Sequence, residues 1–316
     1  MLVGLDLRGL PLHGVSLSGS RITQCDLSEV DLRHAGCGGA RFTATKLAGA
    51  KARNASLAEA RLIDCQAEGI DLSEAQLGRA ALLRCKLGGA RLDRVLAEGA
   101  QFVESDLSEV HLDSGEFSGA RFVRTTLRQT SCTEAILERT LFAECEIAGA
   151  AFAGASLTKA IALSCTFTGA RLEGATLAEA RFDKSDWQGI TSLPQNCDGV
   201  SLHETRLAGL DLSGKSFAGA DLSKADLSRA RLAGASFVRA MLFDSVLEKA
   251  DLQGADLSRA VMTRARAPET NFAEAKLNGA RLDGADLTGA IWQMPNWRAR
   301  IFAAPGLTAP RSQWPP

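Results

Sequence analysis

The stretch Ala220-Asp221-Leu222-Ser223-Lys224-Ala225-Asp226-Leu227-Ser228-Arg229 repeats itself after five residues, and its reading decides the fold. The phase extends both ways from it. Every fifth position gives Leu2, Leu7, Leu12, Leu17 and Ile22 towards one end, and Leu277, Leu282, Leu287 and Trp292 towards the other. Of the 59 positions in this series, 50 are Leu, Ile, Phe, Met or Trp, so the phase holds from Leu2 to Trp292. Two residues before each stands a small one, usually alanine, as at Ala35, Ala40, Ala50 and Ala55. A short fixed period over nearly the whole chain calls for a solenoid and overrides counting domains by length.

Period five fits neither a helix at 3.6 nor a strand at 2. The large residue and the small residue two before it share parity, so both point the same way in a short extended segment. The chain must then turn a corner. Gly9, Gly14, Gly19, Gly39 and Gly49 stand two residues after the large one, where a turn asks for positive φ. One pentapeptide is one side plus one corner, and four sides close a coil of twenty residues. A second period supports this closure. Cys25, Cys65, Cys85, Cys145 and Cys165 differ by multiples of twenty, and Thr45, Ser105, Thr125, Ser185, Thr205 and Ser245 fill most of the gaps. One side in four therefore carries an inward ladder of Cys, Ser and Thr. Phe42, Phe102, Phe122, Phe142 and Phe182 share another such series, and rings about 4.8 Å apart would stack inside.

The repeats resemble the pentapeptide repeat family, whose consensus is A-(D/N)-L-x-x. Besides the opening stretch, Ala250-Asp251-Leu252-Gln253-Gly254 and Ala285-Asp286-Leu287-Thr288-Gly289 carry the resemblance, which covers residues 1 to about 292. It implies an all-β, right-handed quadrilateral β-helix, with the central Leu or Phe and the preceding Ala inside and the other three residues outside. About 14.5 coils at roughly 4.8 Å each would make a rod about 70 Å long.

The pattern fails most clearly over Gly189-Ile190-Thr191-Ser192-Leu193-Pro194-Gln195-Asn196-Cys197-Asp198-Gly199. Ser192 and Cys197 hold large-residue positions, and Gln195 and Lys215 hold small inward ones. A lysine does not sit unpaired in a narrow interior, so a bulged side or loop is expected, with Lys215 reaching solvent or a carboxylate. Pro268 marks a smaller defect. The organisation expected is a repeat domain over 1–292 with an irregularity near 189–199, then a C-terminal segment 293–316. In that segment Asn296 N-caps a short capping helix through Phe302, and a flexible tail follows. At the first coil, bulky Leu5, Leu10 and Val15 either block the end themselves or meet a partner.

Lys and Arg number 36 against 37 Asp and Glu, a net charge of -1, so no direct nucleic-acid binding is expected. No apolar run is long enough for a membrane span, and no signal segment is visible. A cytoplasmic location is the expectation, with secretion by a signal-less route left open. His13, His34, His111 and His203 are read as lying on different sides or distant coils, which leaves no metal or catalytic cluster. Zinc spacings and phosphate loops are missing, and the cysteines read as small buried thiols. No cofactor, metal or catalytic residue is nominated, and the chain reads as a non-enzyme.

The outward positions hold one anomaly. The residue after the large one reads Ile63, Leu83, Val103, Val123, Ala143 and Leu163 on one side, and Leu141 and Ile161 precede the large position there. The next outward column alternates in charge as Asp64, Arg84, Glu104, Arg124 and Glu144, while Arg21, Arg41, Arg61, Arg121 and Arg181 edge the other flank. An aligned apolar row about 24 Å long reads as an interface for a protein partner or a second copy of this chain, set against the plainer reading of β-formers filling a surface ladder. Met241, Phe243 and Val261 form a smaller cluster on the same side. The function expected is a non-catalytic protein-binding scaffold. The family also includes type VI secretion accessory proteins and effectors, and acidic DNA mimics that protect DNA gyrase. The last fits poorly with a near-neutral chain.

Overall fold

The five-residue alternation builds a parallel β-solenoid, seen in a computed structural model in which residues 1–293 are described. The expected capping helix at 296–302 and the tail lie outside the described residues. Paired residues lie twenty apart: Ile22 with Phe42, Asp26 with Lys46, Asp31 with Lys51, Gly36 with Ser56. Four paired columns per coil mean four sides. The first side holds residues 1–5, 21–25 and so on, and the second, third and fourth follow at intervals of five.

The chain forms two compact units, Met1–Thr176 and Leu177–Pro316. In the first unit, side one is a nine-stranded parallel sheet in sequence order. Its strands are β1 (Leu2–Val3), β2 (Arg21–Thr23), β3 (Arg41–Thr43), β4 (Arg61–Ile63), β5 (Ala81–Leu83), β6 (Gln101–Val103), β7 (Arg121–Val123), β8 (Leu141–Ala143) and β9 (Ile161–Leu163). The other sides pair through single bridges. In the second unit all four sides do so, from Arg181 with Ser201 to Asn271 with Ile291.

Each core is the stack of inward ladders. Leu27, Ala40, Leu77, Leu107 and Leu227 are fully buried. Phe102 lies 4.8 Å from Phe122, and Phe122 lies 5.0 Å from Phe142, with near-parallel rings. This is the expected aromatic ladder, held at the coil spacing. Phe182 instead meets Trp187 edge-on at 4.9 Å.

Corners explain both the regularity and its one failure. From Gly4 to Gly289, every residue whose number ends in 4 or 9 has positive φ except Pro194. Glycine suits this conformation, yet Asn54 (φ 58) and Glu74 (φ 59) adopt it too. Proline cannot, because its ring fixes φ near −65°. The corner after Ser192 is therefore lost. Leu193 is buried there and Gln195 is exposed, the reverse of the usual order. Two side chains stitch the gap: Gln195 Nε2 donates to the Gly214 carbonyl at 2.7 Å, and Lys215 Nζ donates to the Leu193 carbonyl at 3.0 Å. Lys215 is half-buried and bonds a backbone carbonyl, where the sequence had suggested solvent or a carboxylate. Pro268 causes no such break. It sits one residue earlier in its turn, where φ near −65° is wanted, and Glu269 still turns the corner with φ 54.

Candidate functional site: the sheet face of the first unit

On sides two to four, the N–H of the small residue donates back to the carbonyl of the large residue three before it, as Val30 to Leu27 at 3.3 Å and Ala35 to Leu32 at 3.0 Å. Side one of the first unit does not close this turn, and the chain stays extended for three residues. The two backbone groups left over are met by the next coil. The Leu82 carbonyl lies 3.2 Å from Ser105 Oγ, which accepts from the Cys85 N–H at 3.0 Å. Thr125 Oγ1 donates to the Phe102 carbonyl at 3.0 Å, and Cys145 Sγ to the Phe122 carbonyl at 3.3 Å. The Cys, Ser and Thr ladder thus supplies the hydrogen bonds that an open turn lacks. The sequence reading placed these side chains inside but missed this task. All eight cysteines are buried. Burial pushes the Cys37 thiol up to about 11 and the Cys197 thiol up to about 12.

The open turns decide what the face displays. In β4 to β7, Ile63 sits in register with Leu83, Leu83 with Val103, and Val103 with Val123. Ala143 and Leu163 continue the column, and Leu141 pairs with Ile161 beside it. Ile63, Leu83, Val103, Val123, Leu141, Ile161 and Leu163 therefore all lie on one sheet. Exposure along it is uneven. Ile63, Leu83, Val103, Val123 and Leu141 are half-buried because each leans on its neighbours, whereas Ile161 and Leu163 are 40% and 43% exposed.

The alternating charges pair along the axis. Arg84 Nε donates to Asp64 Oδ1 at 2.6 Å and Arg84 Nη2 to Asp64 Oδ2 at 3.0 Å. Arg124 Nη2 donates to Glu104 Oε1 at 2.6 Å. Hydrogen bonding from Arg84 holds the Asp64 carboxyl below its ordinary value, and Glu104 in turn raises Arg124. These pairs form one rim of the aliphatic column.

Some features escaped the sequence reading. On side four, Leu96 and Ile136 are 53% and 38% exposed. Their column begins Ser16, Gly36, Ser56 and Gln76 and turns apolar at Leu96 and Ile136. The histidine reading needs correction. His13 and His34 are on the same side in successive coils, with ring centroids 5.4 Å apart. His111 gathers with Asp93 and Asp113, their ligand atoms within 4.8 Å of one another. Those carboxylates are already engaged: Asp93 by Arg91 at 3.1 Å, Asp113 by Ser131 Oγ at 2.5 Å and the Thr133 N–H at 2.8 Å. In the second unit, Arg264 lies 4.2 Å over the Phe243 ring while its Nη2 donates to Asp244 at 2.7 Å. Met241 stands 44% exposed on that side.

The family profile agrees with this architecture. The pentapeptide repeats profile matches in eight copies, over residues 12–47, 40–79, 85–129, 120–158, 196–232, 220–264 and 255–291. No curated protein matches the chain in sequence. Among solved structures, it is similar to HetL, a pentapeptide repeat protein involved in heterocyst differentiation regulation from the cyanobacterium Nostoc sp. strain PCC 7120. The identity is 26% over 88% of this chain and 90% of that one, with a TM-score of 0.24. QnrB1, a plasmid-mediated fluoroquinolone resistance protein, is 17% identical over 71% of this chain and 97% of its own, with a TM-score of 0.36. A pentapeptide repeat protein of the Arabidopsis thaliana thylakoid lumen is 29% identical over 35% of this chain and 83% of its own, with a TM-score of 0.25. Among the described residues no helix is long and apolar enough to cross a membrane. With five-residue units in register through both parts of the chain and a repeat profile matching well over half of it, this chain belongs to the pentapeptide repeat family.

Proposed function

We propose that the chain is a non-catalytic scaffold that presents side one of its first unit to a protein partner. One observation carries the reading: Ile63, Leu83, Val103 and Val123 lie in register on adjacent strands, and Ile161 and Leu163 stand exposed at the end of that sheet. Single exposed aliphatics are ordinary, but a continuous row on a flat sheet is the surface repeat proteins use for binding. The interiors are filled with side chains, and burial raises the proton affinity of the Cys37, Cys132 and Cys197 thiols, which supports a non-catalytic role. The test replaces Leu83, Val123 and Leu163 with Ser and compares partners captured by proximity crosslinking with those of wild type. A Leu96→Ser, Ile136→Ser variant on side four serves as the control. The triple variant should lose partners that the control keeps, with the melting temperature within a few degrees of wild type. Equal capture by both would move the working surface to another side.

A further inference from the structure

The sheet that carries the aliphatic column is not apolar throughout. Arg21, Arg41 and Arg61 open β2, β3 and β4, and the register sets Arg21 opposite Arg41 and Arg41 opposite Arg61. All three are exposed, and among the described residues none has a carboxylate within ion-pair distance. Across the strand from Arg21 and Arg41 stand only the hydroxyls of Thr23 and Thr43, both half-buried. Further along the same face successive coils carry opposite charges, Asp64 with Arg84 and Glu104 with Arg124. Like charges directly opposite each other in a sheet are destabilising. The ladder is a standing repulsion that an anionic partner relieves.

The face itself selects the kind of partner. A nucleic acid would satisfy the arginines, but the same surface continues into Ile63, Leu83, Val103 and Val123, which offer a phosphate backbone nothing. A protein segment with both acidic and aliphatic residues satisfies both parts. The spacing favours a helix lying along the ladder. One helical turn rises about 5.4 Å, against roughly 4.8 Å between strands, whereas an extended chain returns to the same face only every ~6.6 Å. We propose that side one of the first unit docks an amphipathic helix of a partner protein, with its acidic turns over Arg21, Arg41 and Arg61 and its aliphatic turns over Leu83, Val103 and Val123. This rests on the reading that this face binds protein, and it adds the chemistry of what binds.

The test uses the full chain and three fluorescent probes read by anisotropy. The first is a helical peptide with Glu on one face of three successive turns and Leu on the same face of the next three. The second has the same composition with Glu and Leu scattered around the helix, and the third is oligo-dT. Wild type should prefer the segregated peptide, with affinity falling as salt rises. Arg21→Gln, Arg41→Gln, Arg61→Gln together should weaken that binding about tenfold at low salt, the size of three exposed ion pairs. The same variant should remove most of the salt dependence. Its melting temperature should equal or exceed that of wild type, because the repulsion is gone, and a lower one would make the arginines structural and overturn the proposal. Undiminished binding by this variant, with binding lost in the Leu83→Ser, Val123→Ser, Leu163→Ser variant, would overturn the acidic-helix assignment and leave the protein-binding face standing. Undiminished binding by the serine variant would remove the protein-binding reading itself. A preference for the scattered peptide or for oligo-dT would overturn the proposal as well.

Discussion

At the scale of single residues, one atom decides between consensus and structure. Position 115 belongs to an inward series that in the first unit otherwise reads Val15, Ala35, Ala55, Ala75, Val95, Ala135, Ala155 and Ala175, yet it holds glycine. A Cβ there would meet the Phe117 ring at 2.6 Å and the Leu112 carbonyl at 3.0 Å. Gly115→Ala restores the repeat consensus but overpacks the coil, so it should destabilise by about 1–3 kcal/mol. A thermal melt unchanged or raised by that substitution would mean Phe117 yields without penalty. Thr125 makes the complementary point. Its hydroxyl serves the Phe102 carbonyl at 3.0 Å and lies 3.1 Å from the Val123 carbonyl. Thr125→Val keeps the shape and strands a buried acceptor, for a loss of about 1–3 kcal/mol. Thr125→Ser keeps the hydroxyl and should lose less; the reverse order in chemical denaturation would refute the hydrogen-bond role given to this ladder.

At the scale of coils and sides, the interior responds to the size of each rung. Cys37, Ala52 and Ala67 stand where large residues are the rule, and an apolar cavity of about 20 Å3 lies beside the first two, bounded by Phe42, Leu57, Leu72 and Leu77. Such a space stays dry and forfeits contacts. Ala52→Val adds two methyl groups to it and should stabilise the fold by about 1 kcal/mol. A lower melting temperature would show that neighbouring side chains have already closed the gap. The same coil logic explains why Pro194 and Pro268 differ. One occupies the corner position that needs positive φ and abolishes the turn, and the other occupies the position before it and fits.

At the scale of the whole molecule, stability depends on rows of exposed ion pairs between successive coils. Arg84 holds the Asp64 carboxyl down, Arg53 and Arg94 hold Glu74 down, and Arg264 holds Asp244 down. A carboxyl with a depressed folded value contributes stability that is present above its unfolded value, about 4, and lost as pH falls through the lower folded one. The melting temperature should therefore be nearly flat from about pH 7 to 5 and fall below about pH 4. Each pair is solvent-screened and individually small, so added salt should narrow the change. A melting temperature that holds steady to pH 3 would show that these rows contribute nothing.

The sequence by itself determined the solenoid, the length of its coil, which residues enter the core, where the regular corner fails and which aliphatic residues share a side. Each of these follows from a period that the chain states in consecutive residues. Tertiary structure decided the rest. Which side stays open as a sheet is decided by its backbone hydrogen bonds to the neighbouring coils, since bonds between residues 23 apart form on the open side, as Thr125 with Phe102, and on closed ones, as Thr140 with Phe117. The glycine at 115 depends on where one aromatic ring turns, and the half-burial of Leu83 and Val103 depends on rungs stacked above and below. The same stacking puts three arginines in register and brings His13 to His34. All of these are contacts along the solenoid axis, where neighbours in space are twenty residues apart in sequence and side-chain direction is set by packing rather than by the repeat.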